Sequence, residues 1–136
     1  MGKLDGKVGI VTGSGRGIGR GIAMVRAKEG ASVVLNSVNT ETRSAEKVAE
    51  EIRAAGGKAV AVIARVGSKE TAELLVNTAV KEFGSLHGLE NNAGQTRDQM
   101  IPKLTEEMWD EGLYVHMRGA FMNTQAAVVY WNENEI

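Results

Sequence analysis

The residues best suited to chemistry lie near the start of the chain. Thr12-Gly13-Ser14-Gly15-Arg16-Gly17-Ile18-Gly19 follows directly on the apolar run Val8-Gly9-Ile10-Val11. Glycines let backbone N–H groups approach an anion closely, and a helix that begins there adds its own unpaired N–H groups and the positive end of its dipole. With a strand before it and helical periodicity after it, such a turn is a cradle for a nucleotide pyrophosphate; a plain tight turn is the alternative. The Gly13, Gly17, Gly19 spacing is wider than G-x-G-x-x-G but uses the same device. A second constellation, Asn91-Asn92-Ala93-Gly94, is made of turn formers. His87 and His116 have no neighbouring ligands at zinc-like spacing, so no metal site is expected.

The elements that must position these residues follow from hydrophobic periodicity. Val8–Val11 reads as a strand, and Ile18, Ile22, Val25 and Ala27 then recur at helical spacing until Gly30. Val33–Leu35 reads as a second strand, followed by polar residues 36–42 and a helix with Ala45, Val48, Ala49, Ile52 and Ala55 on one face, ended by Gly56-Gly57. A third strand spans Ala59–Ala64, a helix Ser68–Phe83 closed by Gly84, and a fourth strand Leu86–Asn91. Leu104 to about Asn132 has a helical pattern, started by Thr105, preceded by Pro102 in a loop and interrupted by Gly112 and Gly119. Strands that are apolar on both faces and alternate with helices predict an α/β fold, a Rossmann-like, doubly wound parallel sheet with helices on each side. Its first half, with strand order 3-2-1-4, is what these elements provide.

Composition narrows the partners. The 136 residues fit one domain, residues 1–136, with 43% hydrophobic and 24% charged residues. A net charge of -1 gives no general field for nucleic acid or an anionic membrane. There is no cysteine, and the longest apolar run, Ala59–Ala64, is far too short to span a bilayer. The start, Met1-Gly2-Lys3-Leu4-Asp5-Gly6, holds no apolar signal region, so a cytoplasmic protein is expected.

Thr-Gly-x-x-x-Gly-Ile-Gly at 12–19 together with Asn91-Asn92-Ala93-Gly94 resembles the classical short-chain dehydrogenase/reductase family, and Leu4-Asp5-Gly6-Lys7-Val8 and Trp109-Asp110 match its habits. The resemblance covers essentially the whole chain, which corresponds to the N-terminal half of family members of roughly 250 residues. It implies a nicotinamide dinucleotide held by Gly13, Ser14, Arg16, Gly17, Ile18 and Gly19, by Asn36, Ser37, Arg65 and Val66, and by Asn92, Ala93, Gly94 and Val115. It also implies that Thr12 ties the first and fourth strands, and that helices corresponding to Leu104–Asn132 form a subunit interface and hence a homo-oligomer. Thr96-Arg97-Asp98 resembles the branch that reduces 3-oxoacyl thioesters or oxidises 3-hydroxyacyl thioesters.

The departures carry equal weight. The family's Ser and its Tyr-x-x-x-Lys pair are absent: Tyr114 is followed at the fourth place by Arg118 and Tyr130 by Asn134. Both tyrosines read as helix packing residues. His116 stands where members often carry an Asn and is the one catalytic candidate, although a helix histidine without a relay partner reads first as structural. Arg65 replaces an Asp that contacts adenine, His87 another Asp, and Glu90 an apolar strand residue; burial of Glu90 without a partner is expected.

The expected function is therefore that of an NADP-dependent oxidoreductase half that binds dinucleotide but does not catalyse alone, a small carbonyl or alcohol substrate needing the missing half. A non-enzymatic dinucleotide-binding or interaction module is the alternative. NADP is expected over NAD because Asn36-Ser37-Val38-Asn39 holds no acidic residue for the ribose 2′-hydroxyl, while Arg16 or Arg43 could meet a 2′-phosphate.

Overall fold

In the computed structural model, which describes residues 2–96 and 98–136, the β-branched runs form a parallel four-stranded sheet. The order along the chain is β1 (Val8–Val11), α1 (Gly17–Lys28), β2 (Ser32–Ser37), α2 (Ser44–Ala54), β3 (Lys58–Ile63), α3 (Lys69–Phe83) and β4 (Gly88–Glu90). A 3₁₀ turn at Ile101–Lys103 then leads to α4 (Glu106–Gly112), a π-helical stretch at Leu113–Arg118 and α5 (Gly119–Glu133). The strands lie side by side as β3-β2-β1-β4, the expected order. Alternate residues of the strands feed two cores, as the pleat dictates. Val33 and Leu35 pack with Ala23, Val48 and Ile52 under α1 and α2. Val34 and Ile10 pack with Leu75, Val76, Ala79 and Ala127 under α3 and α5.

Several boundaries have visible causes. The Ser68 hydroxyl accepts from Thr71 N–H at 3.1 Å to start α3, and Gly84, at φ 83°, ends it in a conformation that favours glycine. Thr105 caps α4 by accepting from Met108 N–H at 3.1 Å. Gly112 and Gly119 do not break the last segment; they stand at the two ends of the π-helical stretch with ordinary helical φ angles of -60° and -59°. Tyr130 packs against the second core as expected, and the Trp131 indole N–H donates to the Leu86 carbonyl at 2.9 Å. Among the described residues no helix is long and apolar enough to cross a membrane.

Three expectations need correction. The buried face of α1 is made by Gly19 and Ala23, with Ile22, Met24 and Ala27 partly covered, whereas Ile18 and Val25 remain 77% and 62% exposed. Small residues let α1 approach the sheet closely, so Ile18 and Val25 turn outward. β4 is shorter than Leu86–Asn91, because Leu86 and His87 lead into it and the chain turns after Glu90. The third concerns Glu90, which is neither buried nor unpartnered. It aligns with Val11 and so points to the α1 face, where it pairs with Arg26 at 2.8 Å. Gly9, two residues before Val11 on that face, has no side chain, and the Arg26 guanidinium lies over it, 3.6 Å from where a Cβ would be. The side chains of Arg26 and Glu90 are 28% and 40% exposed.

Candidate functional site

β1 sits in the middle of the sheet, and its neighbours β2 and β4 are reached by crossovers on opposite faces. The loops that leave β1 and β4 therefore part from each other and open a crevice at the carboxyl ends of the strands. The loop 12–19 forms one lip, and residues 91–95 form another.

Polar side chains, those of Thr12, Ser14 and Asn36 buried, hold these lips together. The Thr12 hydroxyl accepts from the N–H groups of Asn92 (3.0 Å) and Ala93 (2.9 Å) and donates to the Glu90 carbonyl (3.3 Å), joining the ends of β1 and β4. The Asn92 amide donates to the carbonyls of Thr12 (3.2 Å) and Gly13 (3.1 Å). From the other side, Asn36 accepts from Gly13 N–H at 3.2 Å and donates to the carbonyls of Val62 (3.1 Å) and Ala64 (2.9 Å). The Ser14 hydroxyl donates to the Val11 carbonyl at 2.8 Å and accepts from Asn36 N–H at 2.9 Å.

Two glycines are sterically required. Gly13 has φ 60°, and a Cβ there would stand 2.7 Å from the Ala93 Cα. At Gly19 a Cβ would collide with the Gly13 carbonyl and the Asn92 amide. The first turn of α1 thus lies directly against the loop. No side chain caps α1, and no acidic residue stands in its first turn. Its N–H groups and dipole are left available to an anion.

The resulting cleft has a volume of about 760 Å³. Of the residues named from the sequence, Gly13, Arg16, Gly17, Ile18, Asn36, Ser37, Arg65, Val66, Asn92, Ala93, Gly94 and Val115 line it. Ser14 and Gly19 are buried beneath the loop and do not line it. Arg43 is exposed at the head of α2 and is not part of the wall. His116 lies outside the cleft, in an adjoining pocket of about 120 Å³ shared with Asn91 and Asn123. Its Nε2 sits 3.1 Å from Gln95 N and 2.8 Å from the Gln95 carbonyl oxygen, and the tautomer decides which of these is the hydrogen bond. Histidine therefore meets the 94–95 backbone rather than the cleft interior.

The head of α2 escaped the sequence reading. Val38, Asn39, Thr42 and Ser44 join the wall, and a Cβ on Gly15 would overlap the Ser44 side chain. The polar run 36–42 was the available signal. Asn39 builds the turn there, accepting from the N–H groups of Glu41 (2.8 Å) and Thr42 (3.0 Å). On the β3 side, Arg65 pairs with Glu111, and its guanidinium lies 4.5 Å from the centre of the Tyr114 ring. Tyr114 is thus a packing residue, as expected. Arg97, the middle of the run Thr96-Arg97-Asp98, lies outside the described residues.

Comparison with known proteins places this arrangement among relatives. Residues 7–135 match the family described as short chain dehydrogenase. The chain is 42% identical over 134 residues to the hydroxyacyl-CoA dehydrogenase ChsB1 of Mycobacterium tuberculosis, covering 96% of this chain and 42% of that protein. It is 39% identical over 121 residues to the 3-oxoacyl-[acyl-carrier-protein] reductase FabG of Staphylococcus aureus, covering 89% of this chain and 49% of that one. The crystal structure of a short chain dehydrogenase from Mycobacterium avium superposes with a TM-score of 0.94 at 42% identity, over 98% of this chain and 49% of the other. The chain thus spans about half the length of these relatives. Fold, glycine turn and matched sequence agree: the chain belongs to the short-chain dehydrogenase family.

Proposed function

We propose that residues 1–136 form the dinucleotide-holding domain of an oxidoreductase that moves hydride between nicotinamide and a carbonyl or alcohol, with NADP as the preferred cofactor. The observation that carries this reading is the uncapped start of α1 beneath a turn in which Gly13 and Gly19 leave no room for a Cβ, with Arg16 lining the same cleft. When bound, the dinucleotide would give hydride to a carbonyl or take it from an alcohol. The residues here bind and orient it: the N–H groups at the head of α1 meet the pyrophosphate, and the end of β2 meets the adenosine ribose.

The preference for NADP follows from what the end of β2 offers. Asn36 has its amide fully engaged by Gly13, Val62 and Ala64, and the Ser37 hydroxyl accepts from Ala45 N–H at 3.1 Å. Among the described residues that line the cleft there is no carboxylate to receive a ribose 2′-hydroxyl, and Arg16 gives a 2′-phosphate a charged partner. His116 is assigned to holding the 94–95 backbone beside the cleft. No Tyr-x-x-x-Lys pair occurs in these residues, so the role proposed for them is cofactor binding. The printed names of the relatives, a hydroxyacyl-CoA dehydrogenase and a 3-oxoacyl reductase, support a 3-hydroxyacyl or 3-oxoacyl thioester as substrate class. Calorimetric titration with NADP and NAD tests the reading. NADP binds more tightly, and Arg16→Ala weakens NADP by about tenfold, in line with loss of one charge-assisted hydrogen bond, while NAD changes little. Equal or tighter binding of NAD by the unaltered protein overturns the preference.

A further inference from the structure

We propose that His87 is a pH-sensitive latch between β1 and β4: its neutral ring holds the start of β4, and protonation of the ring releases it. The position follows from how the two strands are bonded. Thr12 N–H donates to the Glu90 carbonyl at 3.1 Å, and a parallel ladder advances in steps of two residues on both strands. Stepping back four residues on each, Val8 N–H is due at the Leu86 carbonyl. That carbonyl is turned away and accepts instead from the Trp131 indole at 2.9 Å.

His87 fills the gap with its side chain. Its main-chain N–H donates to the Val8 carbonyl at 2.8 Å, and its Nδ1 accepts from Val8 N–H at 3.0 Å. One residue thus clasps both main-chain groups of Val8, which is 4% exposed. The partner fixes the state of the ring, because a main-chain N–H can only donate. Nδ1 is therefore the unprotonated nitrogen, and the ring is neutral with its proton on Nε2. A ring turned over would set a C–H against Val8 N–H and leave a buried donor without an acceptor.

An imidazole that takes a second proton has two donors and no acceptor. The contact with Val8 then becomes donor against donor, and histidine is the side chain that makes this change between about pH 8 and 5. His87 is exposed, so its ring exchanges protons with water without any opening of the fold. The charged groups on the adjoining elements are Lys7 beside Val8, Glu90 on β4, Lys81 and Glu82 at the end of α3, and Glu133 on α5. Among the described residues none of them forms an ion pair with His87, and Glu90 is engaged by Arg26. No carboxylate therefore holds a charged ring in the latched position. β4 is three residues long and its far end is fastened by Thr12, so the latch governs the near end. Its hold is present above the titration of the ring and lost as pH falls through it.

The experiment measures amide hydrogen exchange by NMR at about pH 8 and 5, the two ends of that range. Protection of Val8 N–H is taken relative to an unfolded chain at the same pH and compared with that of Thr12 N–H, whose acceptor is a main-chain carbonyl at the other end of β4. The expected result is that Val8 protection relative to Thr12 falls at least about fivefold at the lower pH, the worth of one ordinary hydrogen bond. In His87→Asn the amide oxygen accepts at both pH values and the ratio stays constant. His87→Asp, a carboxylate charged across this range, behaves the same way and is the second variant should the first lose stability. Nitrogen-15 shifts of the ring read its state directly, with Nδ1 unprotonated at the higher pH. A fall under fivefold in the unaltered protein, an equal fall in both variants, or a proton on Nδ1 at the higher pH overturns the inference.

Discussion

Replacing Thr12 by Val removes one hydroxyl and keeps the shape of the side chain. Thr12 is 1% exposed, and its oxygen is the acceptor for two backbone N–H groups, those of Asn92 and Ala93. Each N–H left without a partner costs about 1–3 kcal/mol when buried. The Asn92 N–H keeps a second acceptor, the Glu90 carbonyl at 3.1 Å, and Ala93 is only half-buried, so the low end applies to one group, about 1 kcal/mol in all. Thr12→Ser is the control: it keeps the acceptor and loses one buried methyl group, worth about 1 kcal/mol. Urea unfolding with an unchanged m-value gives the two numbers directly. At about 2 cal/mol/K of unfolding entropy per residue, the Val variant melts about 4 °C lower. A Val variant as stable as the unaltered protein refutes the reasoning, since it would mean that the hydroxyl carries none of the joint between β1 and β4.

Other substitutions probe separate parts of the structure. Glu90→Gln is expected to lower stability by about 0.5 kcal/mol, because the pair with Arg26 is partly screened by solvent, and the loss shrinks in 1 M salt; chemical denaturation at two salt concentrations checks both, and a stabilised variant refutes the pairing. Gly19→Ala drives a Cβ into the Gly13 carbonyl and is expected to cost more than about 2 kcal/mol and to abolish dinucleotide binding. Thermal melts and calorimetry read the two effects, and near-native values in both contradict the close approach of α1 to the loop.

What could be read from the sequence was whatever depends on neighbours along the chain. Helix α3 was legible at both ends because Ser68 and Gly84 are local signals and its apolar stripe is unbroken. The strand order was legible too, since alternating strands and helices leave few topologies open. Twelve of the fourteen residues named for the cofactor do line one cleft. The failures share a cause: their explanations lie far away in sequence. Glu90 meets Arg26, 64 positions distant, and the Arg26 guanidinium lies over Gly9 on the way. Ile18 and Val25 satisfy the helical period, yet α1 buries Gly19 and Ala23 instead, a choice set by how near the sheet lies. The contact of His116 with the Gln95 backbone leaves no side-chain signature in the sequence.

The hydrogen bonds made by Thr12, Ser14, Asn36 and Asn92 have a thermodynamic consequence for association. They fix the glycine turn during folding, so little backbone ordering remains when a ligand arrives. Amide hydrogen exchange at Gly13 and Ala93, whose N–H groups are already bonded, is then slow before any ligand is added. The far wall is built differently: Arg65 and Glu111 meet by a partly solvated pair, and His116 meets Gln95 at the surface. Any ordering entropy that binding does cost is therefore concentrated at the α4 side of the cleft, and the glycine-turn side behaves as a preorganised template.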